Sequence, residues 1–173
     1  LYSLPRITLA SSGIDALGQA IESYWSINST DKSKKYASTA INLLFNNLEQ
    51  AINQKKGLAN ILKGANFSGK AINISKTTSC HSISYPLTSY FKIPHGHAVG
   101  LTLGKMLIFN YNVSKKDCLD SRGTKYVKKT ILEITNLLGE NNPKKAGDKL
   151  YKLMEKIGLE TKLSKLGLKE KDL

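Results

Sequence analysis

Apolar residues recur at helical intervals along almost the whole chain. From Ile14 to Trp25, the positions Ile14, Leu17, Ile21 and Trp25 follow a period of about 3.6 residues, which predicts a helix with one buried face. Asp15, Gln19 and Glu22 fall at i, i+4 and i+7 and form a polar stripe on that helix. Ser11-Ser12-Gly13 offer N-cap chemistry, and Asp15 in the first turn suits the helix dipole. Leu1 to Ala10, with Pro5 and the β-branched pair Ile7-Thr8, reads as an extended entry segment.

The turn Asn28-Ser29-Thr30-Asp31 precedes a long helix expected over 33–54, with Tyr36, Ala40, Leu44, Leu48 and Ile52 on its buried side. Lys55-Lys56-Gly57 breaks it. The next helix, expected over 58–74, is rich in small residues such as Gly64, Ala65, Ser68 and Gly69. Small residues let another backbone come close, so this stretch is expected to be the central helix. Pro86 either opens a helix or kinks one, and Ile93-Pro94 should be extended. Helices then follow over 96–109, 124–138 and 143–157, with Pro143 opening the last. The Lys-rich tail from Gly158 predicts short or frayed helices. No run of strands appears, nor a G-x-G-x-x-G or G-x-x-x-x-G-K-[ST] loop. The expected fold is all-α, one multi-helix bundle of six or more helices over 1–173.

Composition narrows the function classes. A hydrophobic content of 40% supports a core, and 8% aromatics argues against disorder. No run of about 18 apolar residues is present, so no spanning helix is expected. The N-terminus lacks a basic region followed by an apolar stretch, which argues against a secretory signal. Cys80 and Cys118 are few and distant, as in a reducing compartment, and a cytoplasmic location is expected. A net charge of +13 invites a nucleic-acid reading, but the excess is almost all Lys. Only Arg6 and Arg122 offer bidentate contacts, and the lysines are spread out without interleaved aromatics. A solvated basic surface is the simpler reading; a basic nucleic-acid-binding module or an inert helical scaffold is the rival from another class.

All three histidines fall within His81–His97, the stretch HSISYPLTSYFKIPHGH. Imidazole is both the commonest metal ligand and the usual proton carrier near neutral pH, so the clustering points to a site. Asp15, Gln19, His81 and His95 are candidates for one divalent-metal site. The i, i+4 spacing lets Asp15 and Gln19 converge, with His81 and His95 approaching from two other helices. Two imidazoles plus oxygen donors suit Fe²⁺, Zn²⁺, Mn²⁺ or Co²⁺ alike. Gln19, a neutral and poor donor, is either a ligand or a hydrogen-bonder to one.

The stretches SGIDALGQAIESYWS, GKAINISKTTSCHSISYPLTSYFKIPHGHAVGLTLG and FNYN, in that order and spacing, resemble the C-terminal helical domain of the iron-containing (group III, metal-dependent) alcohol dehydrogenase family. This is the helical half of the dehydroquinate synthase-like fold, and the likeness runs from about Leu4 to Ile157. The wording D-A-L-x-Q-A-I-E-S-x-W-S and D-C-L-D-S-R-G is most similar to a phosphonoacetaldehyde reductase-like branch.

The resemblance implies metal ligands at Asp15, His81 and His95, with Gln19 standing where most members carry a His. Tyr85 stands where many carry a further active-site His, and could serve as a hydrogen-bond donor to the substrate oxygen. His97 is implied as a catalytic-site residue steering His95 or the substrate. Lys76 and Arg122 are candidates to meet a phosphonate dianion. The resemblance further implies Fe²⁺ foremost, or Zn²⁺, with NAD(P)H held by an N-terminal α/β domain, a small aldehyde or alcohol substrate, and a homodimer at full length. The chain begins without Met, close to where the two domains of such enzymes join, and is expected to be a fragment without the nucleotide-binding half.

A metal site without a cofactor site lacks a hydride donor. Titration of NADH or NADPH into this 173-residue chain, followed by nicotinamide fluorescence, should therefore show no tight binding; tight binding would overturn the two-domain reading.

Overall fold

The computed structural model describes residues 1–169. Seven α-helices follow one another: α1 (Arg6–Trp25), α2 (Asp31–Gln54), α3 (Leu58–Ser75), α4 (Ser79–Phe91), α5 (His95–Tyr111), α6 (Thr124–Leu137) and α7 (Pro143–Lys156). A single 3₁₀ turn, Leu163–Leu166, follows them. Among the described residues there is no strand, and no helix is long and apolar enough to cross a membrane.

The helix α1 begins at Arg6, not after Gly13, so the extended entry segment is replaced by two further helical turns. Pro5 supplies the non-helical residue before it, and Ser12 returns its hydroxyl to the Thr8 carbonyl at 2.8 Å. A serine satisfied by the carbonyl four residues back sits comfortably inside a helix, which is why the N-cap signal misled. The true caps lie elsewhere. Thr30 and Ser33 form a reciprocal capping box at the start of α2, and Asn142 accepts from the Lys144 and Lys145 amides at the start of α7.

The central helix is α1, not α3. It packs against α2, α3, α5 and α6, and buries Leu9, Ile14, Leu17 and Ile21 almost completely. The small residues of α3 instead give one buried stripe, Gly64, Ser68, Ala71 and Ser75, against α1 and α2, while Gly69 faces open space. Their role is close approach on one side only.

Close approach matters most where α5 crosses its neighbours. Gly96, Gly100 and Gly104 lie four residues apart on one side of α5. A methyl group at Gly96 would sit 2.1 Å from the Ser11 carbonyl oxygen and 2.6 Å from Asp15 Cβ. At Gly104 it would meet the Gly147 backbone of α7 at 3.1 Å. Glycine at 96 therefore lets the first turn of α5 rest on the backbone of α1, which sets His95 beside Asp15.

The Gly96→Ala variant should lose about 1–3 kcal/mol of stability by urea denaturation, because a backbone carbonyl cannot swing aside as a side chain can. Wild-type stability in this variant would contradict the crossing.

Candidate metal centre

Three elements supply the centre. Asp15 is the tenth residue of α1, at its contact with Gly96 of α5; His81 is the third residue of α4; His95 is the first of α5. Asp15 Oδ1 lies 3.4 Å from His81 Nε2 and 3.6 Å from His95 Nε2, and all three atoms fall within 4.8 Å of one another. Donors about 2.1 Å from one tetrahedral ion would be about 3.4 Å apart. The separations are those of atoms sharing an ion, and too long for good hydrogen bonds.

Hydrogen bonding fixes which face of each ring looks inward. Glu22, wholly buried on α1, accepts from the Thr78 hydroxyl at 2.6 Å, the Cys80 amide at 2.7 Å and His81 Nδ1. A carboxylate only accepts, so His81 carries its proton on Nδ1 and, when neutral, turns the Nε2 lone pair towards Asp15. Ser84 performs the same service for His95. Its single hydroxyl proton goes to the His81 carbonyl at 2.6 Å, so at 3.2 Å it accepts from His95 Nδ1 and leaves Nε2 free.

Asp15 Oδ1 and His81 Nε2 are buried without a hydrogen-bond partner. Buried polar atoms are almost always paired, and two such orphans aimed at one point mark a place for a cation. The donor set of one carboxylate and two imidazoles fits a divalent transition metal. Gln19 stands beside it, its amide nitrogen donating to Asp15 Oδ2 at 2.9 Å. A cavity of about 290 Å³ opens against Asp15 and His95, lined by Ile7, Thr8, Ser11 and Pro94. A larger groove of about 600 Å³ involves α2 and α7 and contains none of these residues.

The remaining candidates are placed differently. Tyr85 packs its ring 5.9 Å from that of His95 and is 62% exposed. His97 is buried within the first turn of α5; its amide donates to Ser11 Oγ and its Nε2 bonds the Glu160 carbonyl at 2.6 Å, tying the tail to α5. Lys76 caps α3 through its backbone and is itself exposed. Arg122 spends its guanidinium on Asp120, the Ser26 and Ile27 carbonyls, Ser29 and the Tyr126 hydroxyl, clamping the loop before α6 to the α1–α2 turn. Glu22 and Ser84 join the site only in the structure. Glu22 was visible as the third residue of the polar stripe, and Ser84 lies one helical turn past His81.

Charge agrees with this geometry. Burial alone would lower the His81 pKa, but the carboxylates of Asp15 and Glu22 outweigh it and push the ring up to about 9. Burial alone would raise Glu22, yet the hydrogen bonds from His81 and Thr78 hold it below the usual carboxylate range.

The chain matches the family "Fe-containing alcohol dehydrogenase family, C-terminal" over residues 9–173. It is 38% identical over 162 residues to phosphonoacetaldehyde reductase from Streptomyces viridochromogenes, covering 92% of this chain and 41% of that protein. In structure it is similar to sulfoacetaldehyde reductase from Bifidobacterium kashiwanohense in complex with NAD⁺, with a TM-score of 0.82 at 30% identity, covering 98% of this chain and 43% of that one. The fold also matches an iron-containing alcohol dehydrogenase from Thermococcus thioreducens, at a TM-score of 0.83, 24% identity and coverage of 98% and 41%. The chain thus spans about two fifths of the length of these relatives.

A pKa raised above the unfolded value of 6.5 to about 9 contributes stability that is full below pH 6.5 and lost as pH rises through 9. In metal-free protein, the stability difference between wild type and His81→Asn should therefore shrink between pH 6.5 and 9. A difference that is flat across that range, read by urea denaturation, would contradict the placement of His81 between two carboxylates.

Proposed function

The chain belongs to the Fe-containing alcohol dehydrogenase family, and from that premise we propose that it forms the metal- and substrate-facing part of an NAD(P)H-linked aldehyde reductase. The observation that carries this reading is the convergence of Asp15 Oδ1, His81 Nε2 and His95 Nε2 beside an open cavity. These three residues would hold Fe²⁺ or Zn²⁺. When bound there, such an ion supplies Lewis-acid polarisation of a carbonyl oxygen.

The chain's own residues do the rest. Glu22 and Ser84 hold both rings in the tautomer that presents Nε2, before any ligand arrives. The first turns of α1 and α5 bound the cavity, leaving room for a small substrate. Tyr85, exposed and packed against His95, would donate its hydroxyl proton to a substrate oxygen. The hydride donor would be held by a nucleotide-binding part outside these residues, since the relatives are more than twice as long.

Both an α-phosphonate and an α-sulfonate aldehyde appear in the names of relatives at 30% identity or above, which favours a two-carbon aldehyde carrying a tetrahedral anion. Of the two, phosphonoacetaldehyde, giving 2-hydroxyethylphosphonate, is the proposed substrate, on the higher sequence identity. Within this chain Arg122 is already committed to its clamp, so the anion's partners would come from elsewhere.

The test uses the whole protein containing this chain, with NADH and NADPH. Turnover of phosphonoacetaldehyde should exceed that of sulfoacetaldehyde and acetaldehyde by at least about tenfold in kcat/KM, and Asp15→Ala should cost about 10³-fold. Equal use of acetaldehyde would make it a reductase of simple aldehydes. Unchanged turnover in Asp15→Ala would remove the metal centre from the mechanism.

A further inference from the structure

We propose that Gln19 is a positioning residue that acts through Asp15, and that the cation this centre takes is held by three protein donors rather than four. The inference rests on the metal-centre reading above and deepens it. Gln19 lies one turn beyond Asp15 on α1, close enough to reach the same ion, and its amide could in principle offer either end.

The hydrogen bonds decide which end faces the centre. The contact between the Gln19 amide and Asp15 Oδ2 is 2.9 Å. A carboxylate has no proton to give, so an amide oxygen at that distance would set two acceptors against each other; the group facing Asp15 must be the NH₂. The other end agrees. Gln19 Oε1 lies 3.4 Å from Ser68 Oγ, turned towards α3 and away from Asp15. Its contact there is the weaker one, because the Ser68 hydroxyl is already engaged at 2.8 Å with the Ala16 carbonyl.

The two oxygens of Asp15 are thereby given different tasks. Oδ2 is taken by Gln19, while Oδ1 is buried, lacks a hydrogen-bond partner and faces both imidazoles. Gln19 holds the carboxylate in the rotamer that offers one oxygen, and so makes Asp15 a single-atom ligand. For Gln19 Oε1 to ligate, the amide would have to turn over and surrender its bond to Asp15. What the arrangement leaves is one oxygen and two nitrogens on the protein side, with the remaining positions open to water and substrate.

Co²⁺ is a suitable probe, because its visible d–d bands report the ligand set without any turnover. The chain and its Gln19→Ala, Asp15→Ala and Asp15→Ala/Gln19→Ala variants would be titrated with Co²⁺, with helix content checked by circular dichroism. Expected for Gln19→Ala is a Co²⁺ dissociation constant raised about 10- to 100-fold, with band positions and intensities unchanged. In the Asp15→Ala background the same substitution should change nothing, because the residue it acts through is gone.

Altered bands in Gln19→Ala, an unchanged dissociation constant, or a further loss in the double variant would each overturn the proposal. Failure of the underlying centre looks different: wild type would then take up no Co²⁺, or His81→Ala and His95→Ala would bind it as tightly as wild type.

Discussion

Three lone pairs aimed at one point are the constraint on which this structure turns. Asp15 Oδ1, His81 Nε2 and His95 Nε2 can all accept and, with both rings neutral, none can donate to another. Left alone they repel, and two of them are shut away from water without a partner. A cation or a proton among them would relieve that repulsion. The upward shift of His81 towards about 9 is the same statement in protons: without a metal, a proton takes the place. Glu22 makes the arrangement obligatory, since its buried carboxylate fixes the proton on the far side of the His81 ring.

The fold holds this group together through one close backbone approach and a set of side-chain ties. Gly96 lets α5 touch the backbone of α1, so His95 arrives beside Asp15 without an intervening side chain. The Thr78 hydroxyl and Cys80 amide tie the start of α4 to Glu22 in the last turn of α1, which brings His81 in from the other side. Trp25 extends that tie by donating to Thr78 at 2.8 Å. A core built on Leu17, Ile21, Leu44, Leu48 and Leu103 keeps α1 from yielding.

Much of this was legible in the sequence, and the parts that were not share a cause. Helical periodicity located six of the seven helices within a few residues at most ends, and the polar stripe Asp15-Gln19-Glu22 marked the face that matters. The start of α1 was missed because Ser11 and Ser12 look like caps, yet they bond to a neighbouring helix and to the preceding turn. The central role of α1 was hidden because small residues mark close contact without saying how many neighbours make it. His97 was expected to steer His95 or the substrate, but a helix turns about 200° in two steps, and its ring bonds the Glu160 carbonyl. Arg122 looked like an anion contact, while three of its partners are backbone carbonyls more than 90 residues away, which have no sequence signature. Ser84 could be found only once its hydroxyl proton was assigned.

On the reading proposed above, Gln19 bears on the centre through geometry. An amide that donates to a carboxylate stiffens that carboxylate, and a cation held here would then have three protein donors and more room for a substrate oxygen.

The most direct measurement is X-ray diffraction from crystals of the chain grown with Zn²⁺, recorded on both sides of the zinc absorption edge. A single anomalous peak is expected within about 2.0–2.2 Å of Asp15 Oδ1, His81 Nε2 and His95 Nε2. A peak elsewhere, with those three atoms turned apart, would contradict it.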